Sequence, residues 1–364
     1  MIIMKRIVCF HLLNDYSGSP KVLCMVLKGL LERDYRVDLI TSKGGVLDEL
    51  KCYPNLKMHT YRYLFSNNGI ITMLRYIAVQ LYTFFFAFRY LFYRDCVFYI
   101  NTLLPVGPAL AGRMMGKRVV YHYHENAFIK GAFYALLAWL MQHIAHKIIC
   151  VSAYQSSFLK RRKGVVVVPN ALPQDFVNRL YPNKKDAFEH KNILMLSSLK
   201  EYKGTREFIE LARRLSQFKF TIIINDTQEN IDKYVRQIIP AGLRNLMVYP
   251  RQVDVSRFYN ESSLVINLTN PKFAIETFGL TALEAMTAGL PVIVPTVGGI
   301  AEMVEDGKNG FKIDVQALDK ISDCIEDVLS DEKTFFHLAT EALEYSKKFS
   351  EKKMIDRIAN LLYK

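Results

Sequence analysis

Residues 276–295 read ETFGLTALEAMTAGLPVIVP, and no other twenty residues of the chain say as much about how it folds. They follow LVINLTN (264–270), a run apolar enough for a strand buried in a parallel sheet. TALEAMTAG (281–289) has the pattern of a short helix stopped by Gly289, with Pro291 just beyond. Between strand and helix lies an acidic turn built around Gly279. A glycine there lets a ligand approach the backbone. The amides that follow open a helix N-terminus carrying roughly half a unit of positive charge, where a phosphate is attracted. Glu276 and Glu284 cannot be ligands of that phosphate, because like charges repel. Beside a nucleoside diphosphate, carboxylates serve as acceptors for sugar hydroxyls, one at a reacting sugar and the other at a ribose. The plainer alternative is a first-turn glutamate and a surface glutamate on an ordinary α/β helix.

The ordered set Glu276 to Glu284, continued by GLPVIVPTVGGIAEMVEDGKNGF (289–311), resembles the signature of glycosyltransferase family 4, retaining sugar transferases of the GT-B fold. The resemblance runs through most of the chain. It implies an α/β architecture of two Rossmann-like parallel-sheet domains with an interdomain cleft. It also implies that Glu276 approaches the transferred sugar, that Glu284 binds the ribose hydroxyls, and that the backbone at Phe278, Gly279 and Leu280 meets the diphosphate.

Three further segments fit the same pattern. HLLNDYSGSPKVL (11–23) places Gly18 in the turn before a helix, resembling the glycine-rich loop that family members set beside donor or acceptor. An ordinary strand-to-helix turn is the alternative. The segment is not G-x-G-x-x-G, which argues against a nicotinamide-dependent dehydrogenase. VVYHYHEN (119–126) puts His122 and His124 on one side of a strand, close to its C-terminal end, where open α/β sheets bind ligands. Against the family, His124 matches the histidine near the reacting sugar, and His122 reads as structural. In SSLKEYKGTREF (197–208), Lys203-Gly204 resembles the family's Lys-Gly pair, whose ammonium balances the donor's phosphates as negative charge grows on the leaving nucleoside diphosphate. As a plain sequence feature, Lys203 is an exposed turn lysine. Ser198 stands where many members carry an arginine, and Lys200 is a partial substitute that lacks the bidentate fork. Gly298, Gly299 and Glu302 complete the pattern as secondary members.

Composition agrees with two α/β domains: 364 residues, 51% of them hydrophobic, are too many for one typical domain. The boundaries expected are 1–168 for an acceptor-binding domain, 169–346 for a nucleotide-sugar-binding domain, and 347–364 for a helix returning to the first domain. The last of these is a habit of GT-B enzymes. Six scattered cysteines, with no C-x-x-C pair, suit a reducing cytoplasm and give no zinc pattern. No secretory signal is convincing at the start, because the apolar run after Arg6 breaks at Asn14-Asp15. No Asp-x-Asp occurs, so no metal and no other cofactor is expected.

The charge is lopsided. Residues 1–165 carry 22 Lys and Arg against 8 Asp and Glu, whereas 166–364 carry 26 against 27. The first half therefore faces something anionic, whether lipid headgroups, a pyrophosphate-linked acceptor or nucleic acid. Nucleic acid is disfavoured, since no recognised binding motif accompanies the charge. IITMLRYIAVQLYTFFFAFRYLFY (70–93) is apolar around nearly the whole helix, yet Arg75 and Arg89 interrupt it. It reads as a packing helix, a helix lying in a membrane interface, or a true span.

The expectation is a metal-independent retaining hexosyltransferase. It takes a UDP- or GDP-sugar and serves a glycan acceptor of the lipopolysaccharide or capsule kind, carried on a polyprenyl pyrophosphate. It is placed in the cytoplasm, peripheral on the inner face of the plasma membrane. Two alternatives share the architecture: a nucleotide-sugar 2-epimerase, and a non-catalytic membrane-associated sugar-nucleotide binding protein.

Overall fold

A computed structural model describes residues 5–64, 66, 68–129, 131–239 and 243–363. The chain forms two compact units, one of residues 1–170 with 351–364 and the other of residues 171–350.

Unit 1 holds a seven-stranded parallel sheet built from β1 (Arg6–Phe10), β2 (Arg36–Ser42), β3 (Leu56–Tyr61), β4 (Cys96–Asn101), β5 (Arg118–Tyr123), β6 (Lys147–Cys150) and β7 (Val165–Val167). Their order is β3-β2-β1-β4-β5-β6-β7. Strands such as VFYIN and RIVCF are apolar on both faces because helices cover both, and Ile7, Val8, Phe98, Tyr99 and Ile100 are fully buried. The chain order reverses between β1 and β4, so the loops after these two strands part and leave a crevice at their C-terminal ends.

Unit 2 repeats the plan with six parallel strands: β8 (Asn192–Ser197), β9 (Lys219–Ile224), β10 (Leu246–Tyr249), β11 (Leu264–Ile266), β12 (Val292–Val294) and β13 (Gly310–Lys312). Their order is β10-β9-β8-β11-β12-β13, which puts the reversal between β8 and β11. These are two Rossmann-like domains of the GT-B kind. β11 is shorter than the run LVINLTN suggests. The Asn267 carboxamide accepts a hydrogen bond from the Thr269 amide (3.0 Å), turning the chain out of the sheet four residues early.

The helix Glu351–Tyr363 belongs to unit 1. Ile355 fills the space over Gly29, where a Cβ would come within 2.3 Å of its Cδ1. Arg33 grips Asp356 through Nε and Nη2 (3.1 and 2.7 Å), and Tyr363 donates to the Arg6 carbonyl (3.0 Å).

The segment 70–93 forms a helix, Gly69–Ala87, followed by a tight turn at Phe88–Tyr90. Asn68 caps it, accepting from the amides of Ile70 and Ile71 (2.8 and 3.4 Å). Only a narrow stripe, Tyr76, Val79, Gln80, Thr83 and Ala87, is buried. The helix therefore is not a core helix enclosed on all sides.

Candidate functional site

In unit 2 the site grows from the loops after β8 and β11, the two strands at the reversal. After β8 the chain makes a tight turn, Glu201–Lys203, and Gly204 follows with φ +77°. The left-handed backbone suits glycine, and the space is closed as well, since a Cβ there would lie 2.4 Å from the Leu268 Cβ. This contact seats the first loop on the second. The Lys203 ammonium reaches the Glu276 carboxylate, and the Thr269 hydroxyl donates to the same oxygen (3.1 Å). Lys203 Nζ is also 3.4 Å from the Thr269 hydroxyl.

Burial alone would raise the Glu276 carboxyl, but the Lys203 charge and hydrogen bonds from Lys203, Thr269 and Asn267 outweigh it. They hold the group below the usual carboxylate range, so Glu276 is ionised at neutral pH. Both partners keep about a quarter of their side-chain surface exposed, leaving the pair within reach of a ligand.

Gly279, at φ +96°, opens the helix Leu280–Thr287, with no side chain capping its first amides. A Cβ at 279 would lie 2.4 Å from Ile300 Cγ1. The secondary glycines act locally. A Cβ on Gly298 would sit 2.7 Å from the Glu276 carbonyl oxygen, and the Gly299 amide donates to that oxygen (2.8 Å). The turn after β12 thus clamps the backbone of Glu276, whereas Glu302 is exposed in the turn Ala301–Met303. Phe278 is buried against Phe349, with ring centroids 5.8 Å apart, so its backbone faces the loop while its ring anchors it. Leu280 is half-buried at the start of the helix. One turn on, Glu284 accepts a hydrogen bond from the buried Tyr259 hydroxyl (2.5 Å). Lys200 is exposed on the turn before Lys203, its ammonium 5.8 Å from the centre of the Tyr202 ring.

In unit 1, His124 directly follows β5. Its ring lies 4.1 Å from that of His122, as strand alternation requires. His122 is fully buried and hydrogen-bonded to the Tyr99 hydroxyl (2.7 Å), which gives it a packing role. His124 Nε2 meets Asn101 Oδ1 at 3.0 Å, and the Asn101 amide nitrogen meets His11 Nδ1 at 3.1 Å. Asn101 therefore bridges two histidines at the ends of β1 and β5, from the end of the strand between them. Burial lowers all three histidines, His11 to about 4 and His122 to about 3, and the neighbouring His122 and His11 add to the effect on His124. The cluster is neutral at physiological pH. Thr102, next to Asn101, adopts φ +69°, a strained conformation for a β-branched residue and one that concentrates at functional loops.

Gly18 is not in a turn. It is the first residue of the helix Gly18–Leu31, and Asp15 holds the turn before it by accepting from the Ser17 amide and hydroxyl (2.9 and 2.5 Å). Sequence reasoning did not single out His11, Asn101, Thr269 or Tyr259. The first two carried a readable signal, a polar residue closing an otherwise apolar strand run.

Comparison with known proteins identifies the family and the fold. Residues 16–176 match the model described as Glycosyltransferase Family 4, and residues 177–349 match the model described as Glycosyl transferases group 1. The chain belongs to glycosyltransferase family 4. Among curated relatives of this family 4 chain, a D-inositol 3-phosphate glycosyltransferase of Paenarthrobacter aurescens is 25% identical over 170 residues, covering 43% of this chain and 40% of that protein. Another, from Corynebacterium glutamicum, is 35% identical over 120 residues, covering 33% and 26%. The matched stretches thus span less than half of these relatives. Among solved structures, Anabaena Alr3699/HepE in complex with UDP and glucose superposes with a TM-score of 0.78 at 19% identity, over 98% of this chain and 99% of that one. A glycosyltransferase from Rickettsia africae gives 0.75 at 18%, over 99% and 98%. At such identities the likeness establishes the fold.

Proposed function

We propose that this family 4 protein moves a hexosyl unit, with retention of configuration, from a UDP- or GDP-sugar to a glycan carried on a polyprenyl pyrophosphate, at the inner face of the plasma membrane. The observation that carries the donor half is the ionised Glu276, held by Lys203 and Thr269 three residues ahead of the open helix start at Gly279. A diphosphate at that helix start draws the Lys203 ammonium, and Glu276 then accepts from a hydroxyl of the sugar. Glu284, fixed by Tyr259, accepts from the ribose. In the transfer step the bond from the anomeric carbon to the leaving phosphate oxygen breaks and a bond to the acceptor oxygen forms on the same face. The acceptor's proton passes to the leaving phosphate. Growing charge on that phosphate is met by Lys203 and the helix amides in place of a divalent ion. Neutral His124, steadied by Asn101, offers a hydrogen bond to a sugar hydroxyl without competing for the diphosphate. The UDP and UDP-glucose complexes of the Anabaena neighbour favour a uridine donor.

Thermal-shift titration with UDP, GDP and their sugar conjugates, with and without EDTA, tests the reading, because a ligand of the native state raises its stability by mass action. Selective stabilisation by one nucleotide, unchanged by EDTA and lost in Glu284→Ala, is expected. The absence of any shift in a folded sample overturns the donor site.

A further inference from the structure

The helix Gly69–Ala87 is apolar on two faces, and unit 1 uses only one of them. The inward stripe is fastened along its length. The Tyr76 hydroxyl donates to the Leu104 carbonyl (2.8 Å), and the Gln80 side chain accepts from the Gly107 amide (2.9 Å). Gly107 is pressed so closely to the helix that a Cβ would stand 2.3 Å from the Gln80 carbonyl oxygen. On the opposite side Ile70, Leu74, Ile77, Leu81, Phe85 and Phe88 recur every three to four residues and are all exposed, and Phe92 beyond the helix is 91% exposed. A second row of apolar residues is uncommon on a surface that meets only water.

Among the described residues this is the helix long and apolar enough to cross a membrane, yet its inward fastening to the loop after β4 and to the helix Val106–Met114 holds it along the unit. A helix tied at its middle to a folded sheet cannot also span. It can lie flat, and nineteen residues give about 28 Å of contact at 1.5 Å each.

We propose that this outward face is the surface by which unit 1 rests on an anionic lipid bilayer, the helix lying at the boundary between headgroups and acyl chains. The inference rests on the membrane-side reading above for its purpose, but its observations are separate. Residues 69–93 contain no acid. Arg75, Arg89 and Arg94 are exposed along or just after the helix, and Tyr82 and Tyr93 are exposed beside them, placing cations and amphipathic rings where headgroups lie. The surplus of 22 basic over 8 acidic residues across 1–165 complements anionic lipid and opposes a second copy, which would bring the same arginines face to face.

The test is flotation of the full chain with phosphatidylcholine vesicles made with and without phosphatidylglycerol, at low and high salt. The wild type is expected to float with phosphatidylglycerol vesicles and to release as salt rises. The variant Leu74→Glu/Leu81→Glu/Phe85→Glu is expected to bind roughly tenfold or more weakly. These side chains are 60%, 54% and 67% exposed, so the substitutions spare the fold. Val253→Glu, on a fully exposed unit 2 residue, serves as control and should float like the wild type. Equal flotation of the triple variant and the wild type overturns the proposal. So does flotation indifferent to phosphatidylglycerol, or no flotation at all. A dimer in sedimentation velocity that the triple variant dissolves, without vesicle binding, assigns the face to a second copy instead. Nucleotide thermal shifts on the same samples separate failure of the donor reading from failure of the docking surface.

Discussion

The two sheets reverse their strand order in the same way, yet they furnish the resulting crevices with opposite chemistry. At the end of β11 unit 2 sets a carboxylate against an ammonium beside an uncapped helix start. At the ends of β1, β4 and β5 unit 1 sets two histidines on either side of an asparagine, all neutral at physiological pH. A charged pair is suited to a ligand whose own charge changes during reaction. A neutral chain of donors and acceptors is suited to hydroxyls, which gain little from a net field and much from fixed directions. One topology thus carries two kinds of polar cluster, decided by a few side chains at strand ends.

That contrast breaks most sharply at Glu276. Glu276→Gln keeps the shape but removes the charge that holds Lys203, and kcat is expected to fall roughly 10³-fold, about 4 kcal/mol, with the fold intact. Steady-state transfer or donor-hydrolysis assays measure it, and activity near the wild-type level removes Glu276 from the reaction.

A smaller effect is expected at Gly279. Gly279→Ala forces a Cβ into a left-handed position 2.4 Å from Ile300. The strain costs about 1–3 kcal/mol, read as a lower Tm, and nucleotide binding weakens with it. An unchanged Tm would mean the turn relaxes freely.

The smallest effect sharpens the unit 1 side. In the wild type the folded histidines refuse protons that the unfolded chain accepts below its ordinary value of 6.5. Stability is therefore lost as pH falls from about 6.5 toward 4, the range set by His11. Asn101→Asp places a carboxylate between His11 and His124 and raises both. The folded state then takes up protons too, so the acid loss of stability shrinks. Over the same range the pH–rate profile gains an acid limb as His124 takes up a proton, with activity at pH 6 falling below that at pH 8. Superimposable profiles for Asn101→Asp and wild type would show that the asparagine does not position His124.

Much of this was legible in the sequence because its signals are local. Apolar runs of five or six residues alternating with helical periods give the two parallel sheets, and Gly279 and Gly289 bracket the helix Leu280–Thr287. Glu276 and Glu284 stand out because acids are rare in so apolar a stretch. What was not legible is what only the fold brings together. Lys203 and Glu276 are 73 residues apart, and Asn101 and His11 are 90 apart. No spacing announces such pairs. Gly18 was misplaced by one step because a glycine before an apolar run reads alike as the last turn residue or the first helical one. The helix Gly69–Ala87 hid its orientation for a different reason: with apolar residues on both faces, periodicity cannot say which face turns inward.

The helix Glu351–Tyr363 carries a temporal consequence. Its Ile355 occupies the hollow over Gly29, and its Asp356 ties down Arg33, yet it is synthesised after every residue of unit 2. A growing chain therefore exposes the groove over Gly29 for as long as the ribosome takes to make residues 171–350. During that interval the first unit to leave the exit tunnel is the last to be completed.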